Sequence, residues 1–327
     1  MVKKITYAQG ILEGFEYLLE KYPEVFVMGQ GVWSPWYVGS TMKGLEKKFG
    51  KARVIDTPVS ESACNGMGVG ASLYGERPII VHPRMDFLLY GMDAIVNQAA
   101  KWSSMLGGQG RPNVTFRTII NRGGEQGAQH SQALHSWFAH VPGLRVVMPS
   151  TPLDARDLLI SSVLSDDPVV YIDDRWLYET EENYQAAIVK PLHKEAAKII
   201  QSGTDITLVG SGYTTKLCLD LSKKLAHNNL SAEVVDIRIL NPLKLDAIFE
   251  SVKKTGHLMV LDGGWSPCGL AGEIIAQVCE TLSPNTLKSI PKRFTLPFAP
   301  APSSKPLEEA YYHDVEEIKN AIIKDTQ

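Results

Sequence analysis

The sequence has few cysteines, no long apolar run and no marked excess of one charge. Its 327 residues include four cysteines without a CxxC spacing, which argues against a disulfide framework and favours free thiols in a reducing compartment. No apolar run approaches the roughly 20 residues of a membrane helix, and the N-terminal residues lack the apolar core of a signal peptide. A net charge of −3 gives no basis for binding nucleic acid or an anionic membrane. We therefore expect a soluble cytoplasmic protein.

Short apolar segments alternate with amphipathic ones along the first half of the chain. A capping box at Thr6–Gln9 begins the first predicted helix, and Pro23 ends it. This alternation predicts an α/β fold with a parallel sheet covered on both faces. The predicted strands are 25–28, 53–56, 79–82, 114–120, 144–148 and 169–172, and the predicted helices are 61–73, 88–102 and 153–164.

A polar, irregular stretch at 176–192 separates this half from a second, smaller α/β series, and we interpret it as a linker. A chain of 327 residues also favours two domains over one. The second series has predicted strands at 206–209, 232–237 and 257–261 and predicted helices at 213–228, 243–253, 269–282 and 307–323.

Two polar side chains follow predicted strands. In open parallel sheets ligands bind outside the carboxyl ends of the strands, and Glu61 and His130 follow the strands at 53–56 and 114–120. Glu61 opens an apolar, glycine-rich segment, so it could simply interact with the dipole of a helix. It could instead be a desolvated acid that protonates a heterocycle nitrogen.

The three glycines after Glu61 do not form a dinucleotide-binding motif. Gly66, Gly68 and Gly70 are spaced GxGxG rather than GxGxxG, and the first lies about ten residues beyond the strand. Close packing of a helix against the sheet explains them better, so we reject a nicotinamide site.

His130 lies in a glycine-rich polar loop, a setting that carries function more often than packing. Imidazole exchanges protons near neutral pH, so His130 is a candidate for proton transfer. His135 and His140 follow at five-residue intervals, a spacing that does not match one helix face, and no HExxH occurs. A metal cluster is therefore not expected, and a surface or core-capping role is the ordinary interpretation of these two.

Two other segments leave alternatives open. Asp86 is predicted to cap the helix at 88–102, and Phe87 is either a core residue or an aromatic wall against a flat ligand. Asp167, before Pro168, is typical of a turn, although a structural monovalent cation held by backbone carbonyls and this carboxylate is a minor alternative.

Taken together, these segments resemble one family nearly from end to end. It is the beta subunit of the thiamine-diphosphate-dependent 2-oxo acid dehydrogenases, such as pyruvate and acetoin dehydrogenase, within the transketolase-like group. The resemblance is highly specific for the fold and less specific for the substrate. It is carried by RVIDTPVSE (53–61), MDAIVNQAAK (92–101), QHSQ (129–132), WFAHVPGLRVVMPS (137–150), DPVV (167–170), DIRILNPL (236–243) and DGGW (262–265).

The resemblance implies a pyrimidine-binding domain at 1–185 and a flavodoxin-like transketolase C-terminal domain at 190–327. It implies that Glu61 contacts the aminopyrimidine of thiamine diphosphate and assists its activation. Phe87 matches an aromatic residue beside the pyrimidine, and His130 matches a histidine that assists acyl transfer to a lipoyl group.

The family's motif for Mg²⁺ and the diphosphate, GDG followed by asparagine, does not occur in this sequence. Burying a diphosphate without a metal and hydrogen-bond donors is very costly. An alpha-type partner is therefore expected to supply the motif and Mg²⁺, in a heterotetramer, with a lipoyl-bearing acyltransferase as a further partner.

The sequence departs from the family pattern at His82, Arg84 and His135, where basic residues replace acidic or neutral ones. We interpret these three as substrate contacts for a donor or acceptor with anionic or polyhydroxyl groups. Two alternatives to a dehydrogenase subunit follow. One is the C-terminal half of a split transketolase-like enzyme that transfers a two-carbon ketol unit, and the other is a non-catalytic scaffold subunit.

Overall fold

The computed structural model describes residues 3–326, with side chains described as far as Lys324. The chain forms two compact units. The N-terminal unit contains the residues up to Arg122 together with Trp137–Glu195, and the C-terminal unit contains Gly123–Ser136 together with the residues from Ala196 onward. Within residues 3–326, no helix is both long and apolar enough to cross a membrane.

The N-terminal unit alternates strands and helices. In chain order its elements are β1 (Lys4–Thr6), α1 (Tyr7–Lys21), β2 (Val25–Gly29), α2 (Leu45–Phe49), β3 (Val54–Asp56), α3 (Glu61–Leu73), β4 (Arg77–His82), α4 (Met85–Leu88), α5 (Ala100–Met105), β5 (Thr115–Ile120), α6 (His135–Ala139, whose first two residues group with the C-terminal unit), β6 (Arg145–Val147), α7 (Pro152–Val163), β7 (Val169–Asp174) and β8 (Glu181–Asn183).

Six strands of this unit form one parallel sheet in the order β6-β7-β5-β4-β2-β3. All six residues of β5 and all six of β7 are buried, as expected for a sheet with both faces covered. The predicted capping box is confirmed, because the Thr6 hydroxyl accepts from the Gln9 N–H at 3.2 Å and the Gln9 side chain accepts from the Thr6 N–H at 2.9 Å.

Three predicted elements were wrong in detail. The helix expected at 88–102 is broken into α4, a 3₁₀ turn at Leu89–Gly91, a π-helical segment at Ala94–Ala99 and α5. The stretch at 176–192 is not wholly irregular, because β8 pairs with β1. The last predicted helix is two helices separated by a short break at Tyr312–Asp314.

The C-terminal unit is a second α/β series. Its elements are β9 (Lys198–Gln201), β10 (Ile206–Gly210), α8 (Tyr213–Ala226), β11 (Ala232–Asp236), β12 (Ile239–Asn241), α9 (Asp246–Thr255), β13 (Leu258–Trp265), α10 (Leu270–Thr281), β14 (Lys292–Leu296), α11 (Lys305–Tyr311) and α12 (Val315–Thr326).

Five of these strands form a sheet in the order β14-β13-β10-β11-β9, in which only β9 is antiparallel to its neighbour. Its core on one side is aliphatic and includes Leu208, Leu221, Val234 and Ile322. The predicted α/β class with parallel sheets is thus confirmed in both units.

Candidate active site

A cleft lies at the carboxyl ends of β2, β3 and β4 in the N-terminal unit. Its empty volume is about 330 Å³, including the open solvent at its mouth. This is where a parallel sheet is expected to bind ligands. The cleft is lined by Gly29, Gln30, Thr57, Pro58, Ser60, Glu61, Cys64, Val81, His82, Pro83 and Phe87.

Glu61 is the first residue of α3 and is half-buried. Its carboxylate is the acidic group in the first turn of this helix. Asp56, at the end of β3, accepts hydrogen bonds from the N–H groups of Gly31 and Val32 at 2.6 and 3.3 Å. These bonds tie the segment before α3 to the loop after β2 and so fix one wall of the cleft.

The packing of α3 explains one of the three glycines that follow Glu61. A Cβ atom on Gly68 would lie 2.7 Å from the side chain of Ile80 on β4, whereas Gly66 and Gly70 face open space. Close packing of the helix on the sheet therefore requires Gly68 alone.

His82 ends β4 and is buried, with its Nε2 atom 2.8 Å from Oδ1 of Asn65 on α3. Burial lowers the pKa of His82 to about 3. The ring is therefore neutral at physiological pH and brings no positive charge to the cleft.

Phe87 lies in α4 and stacks on Tyr90, with ring centroids 6.4 Å apart. Phe87 also lines the cleft. The prediction that Asp86 caps a helix was wrong, because Asp86 lies inside the first turn of α4 and is buried, while Arg84 occupies the cap position without a side-chain cap.

Positive charge on this side of the unit comes from arginines. Burial, followed by the charge of Arg175, lowers the pKa of Arg84. Nη2 of Arg175 donates to the carbonyl of Tyr37 at 2.8 Å, while its Nε atom is buried without a hydrogen-bond partner among residues 3–326. Arg84 and Arg175 are therefore close enough to repel each other, and the carboxylate of Asp86 partly offsets this repulsion.

His130 lies in the loop Gly123–Ser136, which groups with the C-terminal unit although the N-terminal unit precedes and follows it in sequence. The Glu308 carboxylate on α11 accepts from the N–H of Glu125 at 3.0 Å, and the Tyr312 hydroxyl accepts from the N–H of Gly123 at 3.5 Å. The start of the loop is thus held by α11 and by the residue that follows it. His130 itself is half-buried.

His135 holds the other end of this loop. It is fully buried, and its Nε2 atom lies 2.9 Å from Oδ1 of Asp262 on β13. Asp262 also accepts from the N–H groups of Gly264 and Ala271 at 2.9 and 3.1 Å. Burial opposes ionisation of Asp262, but His135 and these N–H groups outweigh it and lower the pKa of Asp262 to about 2.

A second cavity adjoins the His130 loop within the C-terminal unit. Its empty volume is about 560 Å³, including open solvent, and most of its lining is apolar. This lining includes Ala128 and Gln132, which lie two positions before and two positions after His130. The other lining residues are Trp265, Phe298, Ala299 and Pro300.

Asp167 accepts a hydrogen bond from Nε of Arg145 at 2.6 Å. In the described part of the chain, no group of three or more His, Cys, Asp or Glu side chains is arranged to hold a metal ion. The structure also identifies partners that sequence inspection missed. Asn65 and Glu308 belong to no motif, Asp262 was noted only as the first residue of DGGW, and each contacts a residue far away in the sequence.

Known proteins similar to this chain agree with the fold. The family model for the transketolase pyrimidine-binding domain matches residues 3–180, and the model for the transketolase C-terminal domain matches residues 195–318. A solved structure described as a split-gene transketolase, an inactive beta4 tetramer, superposes with a TM-score of 0.79 over 98% of both chains, at 19% identity. That likeness shows the fold.

Curated relatives are more similar in sequence. The beta subunit of acetoin:2,6-dichlorophenolindophenol oxidoreductase from Cupriavidus necator is 36% identical over 99% of this chain and 98% of its own length. The pyruvate dehydrogenase E1 component subunit beta of Rattus norvegicus is 34% identical over 98% of this chain and 90% of its own. This confirms the family that the motifs indicated: the chain belongs with the beta subunits of the thiamine-diphosphate-dependent 2-oxo acid dehydrogenases, in the transketolase-like group.

Proposed function

We propose that this chain is the beta subunit of a thiamine-diphosphate-dependent 2-oxo acid dehydrogenase. With an alpha subunit, it decarboxylates a pyruvate-like 2-oxo acid and transfers the acyl unit to a lipoyl acceptor. The observation that carries this proposal is the cleft in which a helix-terminal carboxylate, Glu61, shares the lining with an aromatic ring, Phe87. The names of the curated relatives support the same activity.

The residues of the cleft fit the pyrimidine end of the coenzyme. Phe87 offers a flat apolar surface, Glu61 can hold a proton at a ring nitrogen, and the buried Oγ1 of Thr57 has no hydrogen-bond partner among the described residues. When bound, thiamine diphosphate supplies the electron sink on which decarboxylation of a 2-oxo acid depends.

The same lining does not fit a diphosphate. It contains no lysine or arginine, and an uncompensated diphosphate is costly to desolvate. We assign the diphosphate and its Mg²⁺ to an alpha-type partner with a GDG motif and downstream asparagine.

The surface beside Glu61 supports such a partner. Val59 and Met67, which flank Glu61 in sequence, are 68% and 54% exposed. Gly66 and Gly70 on α3 face open space and allow close approach of another backbone. Exposed apolar side chains and two exposed glycines next to an open cleft are suited to contact with a second subunit.

His130 is assigned to acyl transfer, where it hydrogen-bonds to the acceptor or moves a proton to it. Its half-buried position in a loop held at both ends is consistent with this role. Arg84 is the substrate contact that we retain for an anionic group, because Arg175 adds positive charge there. His135 is fully buried against Asp262 and acts by positioning the loop.

Two further assignments belong to this proposal. The buried thiols Cys64 and Cys218 and the exposed thiols Cys268 and Cys279 are free, which supports a cytoplasmic enzyme. A structural monovalent cation near Asp167 would have to compete with Arg145 for that carboxylate.

Reconstitution tests the function. The chain is mixed with an alpha-type chain that carries the GDG motif, thiamine diphosphate, Mg²⁺ and oxidised lipoamide as the acceptor, and CO₂ release from pyruvate is measured. We expect Glu61→Gln to lower kcat by about 10³-fold, because the amide cannot exchange the proton. Glu76→Gln, at an exposed carboxylate, serves as the matched control and should leave kcat unchanged.

A Glu61→Gln enzyme that retains most of its kcat would contradict the role of this residue. Transfer of a two-carbon unit from a ketose phosphate without CO₂ release would favour the split transketolase-like alternative. A reconstituted complex that binds no thiamine diphosphate in a calorimetric titration would leave the scaffold alternative.

A further inference from the structure

Asn65 fixes the orientation of its own amide group. Its Nδ2 atom donates to the carbonyl oxygen of Gly91 at 3.2 Å, and a carbonyl oxygen can only accept. The other end of the amide, Oδ1, therefore faces Nε2 of His82 at 2.8 Å. Because Oδ1 is also only an acceptor, Nε2 of His82 must carry the hydrogen in this bond.

Gly91 makes this arrangement possible. A Cβ atom at this position would lie 2.0 Å from Nδ2 of Asn65 and 3.1 Å from the carbonyl oxygen of Glu61. Any other residue would displace the amide that orients His82. The glycine, the amide and the imidazole thus form one hydrogen-bonded chain that ends at the lining of the Glu61 cleft.

The buried His82 ring stays neutral, so only one of its two nitrogens carries hydrogen. That nitrogen is Nε2, and Nδ1 keeps its lone pair. We propose that His82 is a hydrogen-bond acceptor for the ligand of the Glu61 cleft, and that its Nδ1 atom receives an N–H or O–H group of that ligand.

This inference rests on the proposed function and deepens it, because it states which chemical group the cleft recognises. A neutral ring with a lone pair on Nδ1 repels a carboxylate or phosphate oxygen and attracts a donor. The donor is an amino group of the coenzyme or a hydroxyl group of the substrate. His82 thus selects a donor, whereas Arg84 is the residue suited to an anion.

The first test needs neither the partner nor the coenzyme. Two-dimensional ¹⁵N NMR of the imidazole rings in the full chain identifies the His82 signals by their loss in His82→Phe. We expect the neutral tautomer with hydrogen on Nε2 throughout pH 5 to 8. A ring with hydrogen on Nδ1, or one that becomes charged within this range, would overturn the proposal.

The second test uses the reconstituted enzyme and separates the two sources of the donor. If the coenzyme supplies it, His82→Phe should raise the Kd of thiamine diphosphate by about tenfold, the typical effect of one lost hydrogen bond. The preference for 3-hydroxypyruvate over pyruvate in kcat/KM would then stay constant. If the substrate hydroxyl supplies it, the Kd is unchanged and this preference falls by about tenfold.

Asn65→Asp provides a variant that keeps the ring in place. A carboxylate beside Nε2 favours the imidazolium, so Nδ1 gains a hydrogen and changes from acceptor to donor. We expect the same change in coenzyme Kd or in substrate preference as in His82→Phe. His227→Gln, at an exposed histidine of the C-terminal unit, should leave the Kd and the preference unchanged.

The role of His82 would be overturned if the wild-type enzyme is active and neither variant, His82→Phe or Asn65→Asp, differs from it in coenzyme Kd or in substrate preference. A wild-type complex without any activity on 2-oxo acids, in contrast, would count against the proposed function. The NMR result on the chain alone would still decide the state of the ring.

Discussion

Two buried histidines, one in each unit, have different partners. His82 in the N-terminal unit lies against the amide of Asn65, and His135 in the C-terminal unit lies against the carboxylate of Asp262. Both side chains are almost completely excluded from solvent. Burial leaves the first ring neutral and the amide fixes which of its nitrogens carries the hydrogen, whereas the second ring stabilises an ionised aspartate.

The difference shows that burial alone does not assign a role to a histidine. A neutral ring with one committed nitrogen keeps a lone pair and can recognise a ligand. A ring bonded to a carboxylate that is itself anchored by two N–H groups is suited to holding a loop in place. In this chain the partner residue decides between recognition and support.

The largest expected effect comes from giving His135 a partner like that of His82. Asp262→Asn keeps the shape of the side chain but removes the charge that accepts from His135 and two N–H groups. We expect the free energy of unfolding to fall by about 3 kcal/mol, because the amide NH₂ group that replaces one carboxylate oxygen cannot accept from a buried N–H group. Urea denaturation measures this.

Glu250→Gln is the control, because this carboxylate forms an exposed pair with Lys253 on α9 and should change stability by less than about 0.5 kcal/mol. An Asp262→Asn variant no less stable than this control would mean that the buried pair does not support the loop.

The next largest effect is a pH dependence that originates in His82. The folded-state pKa of His82, about 3, lies below the ordinary value of about 6.5. At a pH between these two values, the unfolded chain binds a proton that the folded chain does not. Stability should therefore fall by about 2.5 kcal/mol as the pH decreases from 7 to 4.5. Urea midpoints across this range measure it.

The same series with His82→Phe isolates this contribution, because the variant has no imidazole to titrate at position 82. Its stability should change less over the same pH range. Equal slopes for the two proteins would show that His82 is not held neutral by the fold.

The smallest effect concerns the distance between the two elements that hold His82. Gly68 sets how closely α3, which carries Asn65, approaches β4, which carries His82. Gly68→Ala would place a methyl group 2.7 Å from the side chain of Ile80 and should cost about 1 kcal/mol. Thermal or urea unfolding measures it.

Gly66→Ala on the same helix meets open space and should instead stabilise by up to about 1 kcal/mol, because alanine favours the helix. A similar response of the two variants would mean that α3 is not packed closely enough to orient Asn65.

Local signals predicted much of the fold. The Thr6–Gln9 capping box and the segment from Glu61 to Leu73 depend on short-range hydrogen bonds and spacing, and the structure has both at the predicted residues. The prediction of one continuous helix at 88–102 was wrong, because a regular spacing of apolar residues does not reveal 3₁₀ and π-helical turns. Glu61, His82 and Phe87 were singled out from sequence, and all three line one cleft.

The partners of these residues could not be predicted. Asn65 is 17 residues from His82, Asp262 is 127 residues from His135, and Glu308 is 183 residues from Glu125. Nothing in the local sequence of any of these pairs indicates the other member. Their pairing follows from how the strands and helices of each unit are ordered in space.

The sequence by itself determined that this chain is an α/β protein with two units, that it belongs to a transketolase-like family, and that Glu61 follows a strand at the functional edge. Only the tertiary structure decided that His82 is neutral, that His135 supports a loop, and that the segment carrying His130 groups with the C-terminal unit. The physical reason is that spacing and capping act over a few residues, whereas hydrogen-bond direction and desolvation depend on neighbours that only folding supplies.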